Sequence, residues 1–171
     1  GDTVEKIAAE KAGIIKAGSA AVLAAQQAPV TEVIRAHCDV LGVPLSVADP
    51  AVLFTDCRTT LDGERFCYGG EELTLSLVGA HQRQNAAAAI ETALTLRKRG
   101  WRIPSEAIRT GLRNARWAGR FEVLSRNPVF IVDGGHNPQG ARTVAETLGT
   151  LFPGKKVSFL TGVLADKDGR G

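Results

Sequence analysis

The stretch Val129-Phe130-Ile131-Val132-Asp133-Gly134-Gly135-His136-Asn137-Pro138 decides the fold class of this chain. Its four apolar residues read as a short strand, which ends at Asp133. Two glycines then turn the chain. Asn137 and Pro138 open a helix, because an asparagine oxygen accepts from otherwise orphaned N–H groups and proline suits a first helical turn. A strand, a glycine turn and a helix in that order belong to an α/β sheet. Asp133 and His136 then lie at the carboxyl end of a strand, where open α/β sheets bind ligands. An aspartate there can accept hydrogen bonds from ribose hydroxyls. The plainer alternative is an Asx-type turn beside a surface histidine.

Working outward, the pattern around this stretch alternates in the same way. Phe121–Leu124 reads as a strand before it, about 139–152 as the helix after it, and Lys156–Thr161 as a further strand. Upstream, Asp2-Thr3-Val4-Glu5 resembles a capping box opening a helix to about Ile15. A strand at Ala20–Ala24, a helix at about Thr31–Leu41 and a strand at Pro44–Ala48 follow. Residues 51–77 have β character, with a hairpin turning at Gly69-Gly70. A long alanine-rich helix covers about 81–99 and a shorter one 104–112. Short apolar strands alternating with helices predict an α/β fold with a mostly parallel sheet. The change of pattern near Arg120–Glu122 divides the chain into domains 1–122 and 123–171.

Gly149-Thr150-Leu151-Phe152-Pro153-Gly154-Lys155-Lys156 imitates a phosphate-binding P-loop but is not one. Lys156 stands where a magnesium-binding hydroxyl is needed, and the order is helix then strand instead of strand then helix. Three other clusters carry more. In Ala9-Glu10-Lys11-Ala12-Gly13-Ile14-Ile15, helical spacing puts Lys11 on one face with Ile7, Ala8, Ile14 and Ile15. Burial there disfavours a charged amine. A neutral amine can react with carbon dioxide to give a carbamate, an anionic oxygen ligand suited to magnesium. The alternative is a lysine that lays its stem on apolar neighbours and reaches water. In Gly79-Ala80-His81-Gln82-Arg83-Gln84-Asn85-Ala86, His81 and Asn85 share a face near a helix N-terminus. The Asn85 amide offers both a donor and an acceptor to an adenine edge, or else serves in capping and interhelical bonds. In Trp117-Ala118-Gly119-Arg120-Phe121-Glu122, Arg120 at the domain boundary can clamp a phosphate, or simply pair with Glu122.

Composition sets the frame. Among 171 residues, 44% are apolar, enough for one good core or parts of two. The net charge of +3 is dispersed and only 5% of residues are aromatic, so nucleic-acid binding is not indicated. Cys38, Cys57 and Cys67 form no C-x-x-C pair and read as reduced thiols of a cytoplasmic protein. No apolar run reaches the length of a membrane span, and no signal peptide is visible. The chain has no methionine, opens inside a helix cap and stops just past a strand. It therefore reads as an internal piece of a longer protein.

Taken together and in order, the clusters resemble the folylpolyglutamate synthase branch of the Mur ligase family. A Gly-Asp-Thr-like segment leads into Glu-Lys-Ala-Gly-Ile, here Gly1-Asp2-Thr3 and Glu10–Ile14. Gly-x-His-Gln-x-x-Asn-Ala matches Gly79–Ala86, and Trp-x-Gly-Arg-x-Glu matches Trp117–Glu122. Asp-Gly-Ala-His-Asn-Pro matches Asp133–Pro138, and a final Asp-Lys-Asp matches Asp166-Lys167-Asp168. Gly135 in place of alanine and Ala17 in place of a common proline are mild departures.

The resemblance implies the end of a central ATP-binding domain followed by the truncated start of a Rossmann-like C-terminal domain. It implies ATP and Mg2+, with Lys11 as the carbamylated lysine beside magnesium. Asn85 and Gln82 would contact the adenine, and His81 would help shape the nucleotide site. Arg120 would touch the ATP phosphates, Asp133 the ribose, and His136 the place where glutamate meets an acyl phosphate. The implied reaction joins L-glutamate to a folate or to dihydropteroate, in a cytoplasmic monomer without nucleic-acid or membrane partners. The family's P-loop would precede residue 1, so the piece alone is expected to be inactive. A peptidoglycan-precursor ligase of the same family usually shows His-Asn where this chain has His81-Gln82. An inactive binding module is the other rival, against which the retention of Lys11, Arg120, Asp133 and His136 argues.

Overall fold

A computed structural model describes residues 3–162. Asp2, which began the expected capping box, and Asp166-Lys167-Asp168 lie outside the described residues. The chain packs into two compact units. One takes residues up to 54 together with 84–108, and the other takes 55–83 together with 109 onward. This grouping by packing differs from the division by sequence pattern at 122.

In the first unit, helix α1 (Val4–Ala12) is capped by Thr3, whose hydroxyl accepts from Lys6 N–H at 3.3 Å. The helix stops at Ala12 and not at Ile15. The N–H groups of Gly13, Ile14 and Ile15 bond three residues back, to Glu10, Lys11 and Ala12, which tightens and ends the helix. Strand β1 (Ala21–Ala24) and strand β2 (Leu45–Ala48) pair in parallel, Ala21 facing Leu45. They are joined through helix α2 (Ala28–Leu41).

Pro29 in the first turn lets α2 begin three residues ahead of the expected Thr31. Gly42 ends it in the left-handed conformation, with Val43 N–H reaching back to the Cys38 carbonyl at 2.9 Å. Ala8, Ala12, Ile34, Cys38 and Val43 form the core, so small α1 residues let α2 approach closely. Asp49 caps the short helix α3 (Pro50–Leu53), which the sequence pattern did not signal.

The second unit is built on strands β3 (Phe54–Thr60), β4 (Gly63–Tyr68) and β5 (Glu71–Leu75), in the order β3-β4-β5. Gly69 and Gly70 turn the β4–β5 hairpin with φ of 57° and 84°. Two positive φ values in a row are the geometry that twists with the flanking strands and that glycine supplies without strain. Helix α4 (Ala80–Lys98) contributes residues to both units. Helix α5 (Ser105–Arg113) follows, then strands β6 (Glu122–Arg126) and β7 (Val129–Val132), then helix α6 (Pro138–Leu151).

The expected mostly parallel sheet is not what forms. Among the described residues only β1 and β2 are parallel, and β4–β5 and β6–β7 are antiparallel. Only Asn127 and Pro128 separate β6 from β7, and a parallel pair needs a crossover of a dozen or more residues. The expected strand at 156–161 is also absent. Those residues are irregular, with Phe159 at 66% and Leu160 at 99% exposure.

The cysteines behave as free thiols: Cys38 is buried, Cys57 exposed and Cys67 half-buried. No helix among the described residues is long and apolar enough to cross a membrane. The false P-loop at 149–156 begins inside α6 and continues as a turn, with no strand before it.

Candidate functional site

The turn after β7 is stitched to the segment before β6. Asp133 accepts Phe121 N–H through Oδ2 and Gly135 N–H through Oδ1, both at 2.7 Å. Gly134 N–H donates to the Gly119 carbonyl at 2.7 Å, and Gly119 N–H donates to Glu122 Oε2 at 2.7 Å. Asn137 Oδ1 accepts Gly140 N–H at 2.7 Å and so caps α6. The Asx turn and the ligand-facing aspartate, set apart as alternatives by the sequence, are therefore compatible. A carboxylate has about four acceptor positions, and two backbone bonds leave room for hydroxyl donors.

This stitching brings Arg120, Asp133 and His136 onto neighbouring loops. Arg120 is exposed, its guanidinium 5.8 Å from the centre of the Trp117 ring. Phe121, next in the chain, is 2% exposed and takes a φ of 44°, a conformation disfavoured for a bulky side chain. A buried ring in a strained backbone anchors the loop on which Arg120 rides. His136 is exposed, with Nδ1 3.0 Å from the Gly134 carbonyl. A cavity of about 810 Å³ opens beside this loop, lined by Trp117, Arg120 and Glu122 together with Arg113, Arg116 and Arg126.

His81 belongs to the same unit. It is half-buried beside Thr143, Glu146 and Thr147 of α6, around a small cavity of about 40 Å³. Its Nδ1 is buried and has no hydrogen-bond partner among the described residues. Burial holds the imidazole below its usual range of protonation. Arg120 pushes in the same direction, while Asp133 and Glu146 oppose it. Gln82 is buried, and its N–H donates to the Gly79 carbonyl at 2.8 Å.

Lys11 and Asn85 belong to the first unit, and both are exposed. For Lys11 this corrects the sequence reading. The stripe it shares with Ile7 and Ile14 faces solvent, and its own side chain is 72% exposed, 3.9 Å from Glu10 Oε1. The buried face of α1 is the one carrying Ala8 and Ala12. Exposure removes the desolvation from which a carbamate was argued. Among the described residues, no group of three or more His, Cys, Asp and Glu side chains is placed to hold a metal ion.

Residues 119–171 match the family model described as the glutamate ligase domain of Mur ligases. Over 98% of its length the chain is 39% identical to the dihydrofolate synthase/folylpolyglutamate synthase of Bacillus subtilis, spanning 40% of that protein. The chain belongs to the folylpolyglutamate synthase branch of the Mur ligase family. Its mixed α/β fold superposes on the crystal structure of folylpolyglutamate synthase from Thermotoga maritima with a TM-score of 0.82. Identity there is 34%, over 97% of this chain and 40% of the other. A folylpolyglutamate synthase solved as a complex with AMPPCP and folate matches with a TM-score of 0.76 and 30% identity, over 90% of this chain and 39% of that one. The chain thus spans about 40% of the length of the relatives it matches.

One member of this neighbourhood escaped the sequence reading. Glu64 on β4 is fully buried and bonds both β3 and the loop before α4. The signal was available: Glu64 is two residues from Phe66, and residues two apart share one face of a strand. A carboxylate beside a buried phenylalanine on an inward face marks a group with fixed partners.

Proposed function

We propose that the full-length protein is an ATP-dependent ligase that joins L-glutamate to folate. The reaction is polyglutamylation of tetrahydrofolate, conversion of dihydropteroate to dihydrofolate, or both. The likeness to folylpolyglutamate and dihydrofolate synthases supports this, together with one observation in the fold. The Gly119–Glu122 segment and the Asp133–Gly135 turn are held together by two bonds of 2.7 Å, from Phe121 N–H to Asp133 and from Gly134 N–H to the Gly119 carbonyl, which put Arg120 and Asp133 on adjoining loops.

In this reading the substrate carboxylate attacks the γ-phosphorus of ATP, and ADP leaves. The amine of glutamate then attacks the acyl phosphate carbon, and phosphate leaves. Arg120, steadied over Trp117, offers its N–H fork to the ATP phosphates, where negative charge is redistributed as the bond breaks. Asp133 uses its remaining acceptor positions for ribose hydroxyls. Asn85 and Gln82 contact the adenine, His81 helps shape the nucleotide site, and His136 stands where glutamate meets the acyl phosphate. Magnesium, when bound with ATP, offsets phosphate charge. Lys11 is this chain's candidate ligand for it as a carbamate, supported by the motif and not by burial.

Functionally, 1–122 closes a central ATP-binding domain and 123–171 begins a Rossmann-like ligase domain, within a cytoplasmic monomer that binds neither nucleic acid nor membrane. ATP-dependent incorporation of glutamate by the full-length protein, with dihydropteroate and tetrahydrofolate compared as acceptors, tests the proposal. Incorporation with neither acceptor would refute it.

A further inference from the structure

Glu64 gathers three parts of the second unit onto one carboxylate. Its Oε2 accepts the Thr59 hydroxyl at 2.9 Å and lies 3.4 Å from Arg83 Nε, while its Oε1 accepts Gly79 N–H at 3.0 Å. The Glu64 side chain is 0% exposed and that of Arg83 is 22% exposed. Between the two anchored points, Gly79 and Arg83, lie only Ala80, His81 and Gln82. Both ends of this short run are therefore tied to the same buried group.

Gly79 makes the tie directional. Its φ is 112°, and a Cβ there would come within 2.7 Å of His81 Cε1, 2.8 Å of His81 Nδ1 and 2.9 Å of Thr147 Oγ1. The His81 ring is folded over the Gly79 backbone, so the peptide whose N–H points at Glu64 also supports the ring. A shift of that peptide moves the ring.

We infer that Glu64 is a positioning residue for the nucleotide end of the site, holding His81 and Gln82 in register through Gly79 and Arg83. This rests on the ligase reading above, in which Gln82 contacts the adenine and His81 helps shape the nucleotide site. Stability alone does not account for the charge. Replacing a buried ion pair by neutral groups of similar shape is often neutral or stabilising, whereas a fixed polar register is lost with it. Glutamine in place of Glu64 keeps one acceptor and the volume but removes the charge.

The experiment uses the full-length protein with ATP and glutamate varied separately. Glu64→Gln is expected to raise the KM for ATP about 10-fold, the loss of a charge-assisted hydrogen bond. The KM for glutamate and kcat are expected to stay within about 2-fold of wild type. A role in folding alone would lower the active fraction, and so kcat, while leaving the KM for ATP where it was. Thr59→Val, which removes one donor and keeps the charge, is expected to raise the same KM by less. An unchanged KM for ATP in Glu64→Gln, or equal changes for ATP and glutamate, overturns the inference and leaves the ligase reading standing. Should Glu64→Gln not fold, Thr59→Val decides, and an unchanged KM for ATP there overturns it. Wild-type protein that incorporates no glutamate with ATP overturns the ligase reading itself, and this inference with it.

Discussion

Arg120 is held in place without being buried. Its guanidinium lies over Trp117, and its neighbour Phe121 is locked in the interior with its N–H on Asp133. A cation so placed keeps its donors free for a phosphate while its backbone cannot drift. Arg120→Ala is therefore expected to slow turnover roughly 100-fold, the scale of one lost transition-state donor, with an unchanged melting temperature. Wild-type kinetics in that variant would remove Arg120 from the site. Lys11 presents the opposite case, a residue whose motif is plain and whose surroundings are not those expected. Periodicity finds an apolar face on α1 but does not say which of two faces meets the core. The Ala8–Ala12 face won because its small side chains admit α2, leaving Ile7 44% and Ile14 82% exposed. If the motif carries the role regardless, Lys11→Ala in the full-length protein lowers activity far more than Lys6→Ala. Lys11→Arg does not rescue it, since a guanidinium cannot form the carbamate. Near-normal turnover by Lys11→Arg would end the carbamate reading.

At the scale of elements, what was legible was whatever local chemistry fixes. Gly69-Gly70 announced its hairpin, Asn137-Pro138 its helix start, and the spacing of α4 its length to within a residue at each end. Pairing partners were not legible, because they depend on how many residues join two strands and on what lies alongside. The two-residue link after Arg126 made β6–β7 a hairpin, and no strand forms at 156–161. Glu64 was missed for a related reason: one acidic residue in a β segment looks like surface until its face is known. Burial pushes its carboxyl above the ordinary range, opposed by Thr59, the Gly79 N–H and Arg83. The native state therefore binds this proton more tightly than the unfolded chain does, and its contribution to stability falls as pH rises through the raised value. Wild type is expected to gain in melting temperature relative to Glu64→Gln as pH is lowered from neutral toward about 4.5, the carboxyl's ordinary value. A difference that is flat in pH, or that shrinks on acidification, contradicts the direction assigned to Glu64.

For the whole molecule, ancestry and packing draw different lines. The family match begins at 119, near the change of pattern at 122, whereas packing joins 55–83 to everything from 109 onward. The ties inside that second unit differ in worth. The Arg126–Asp62 pair at 2.6 Å is exposed at both ends, so screening leaves it little value. Buried Leu112, whose carbonyl accepts Ser76 N–H at 3.3 Å, and the contact of buried Thr147 with the Gly79–His81 turn are in drier surroundings and weigh more. Burial, not descent, sets what unfolds together. Native-state hydrogen exchange of the full-length protein in low urea reads this residue by residue. The amides of β4–β5 and those of β6, β7 and α6 are expected to lose protection with one shared dependence on denaturant, distinct from that of α1 and α2. Earlier, separate release of β6, β7 and α6 while β4–β5 stays protected would show that the boundary at 122 governs cooperativity too. It would also mean that the hold of Thr147 on the His81 turn is too weak to couple the two sides.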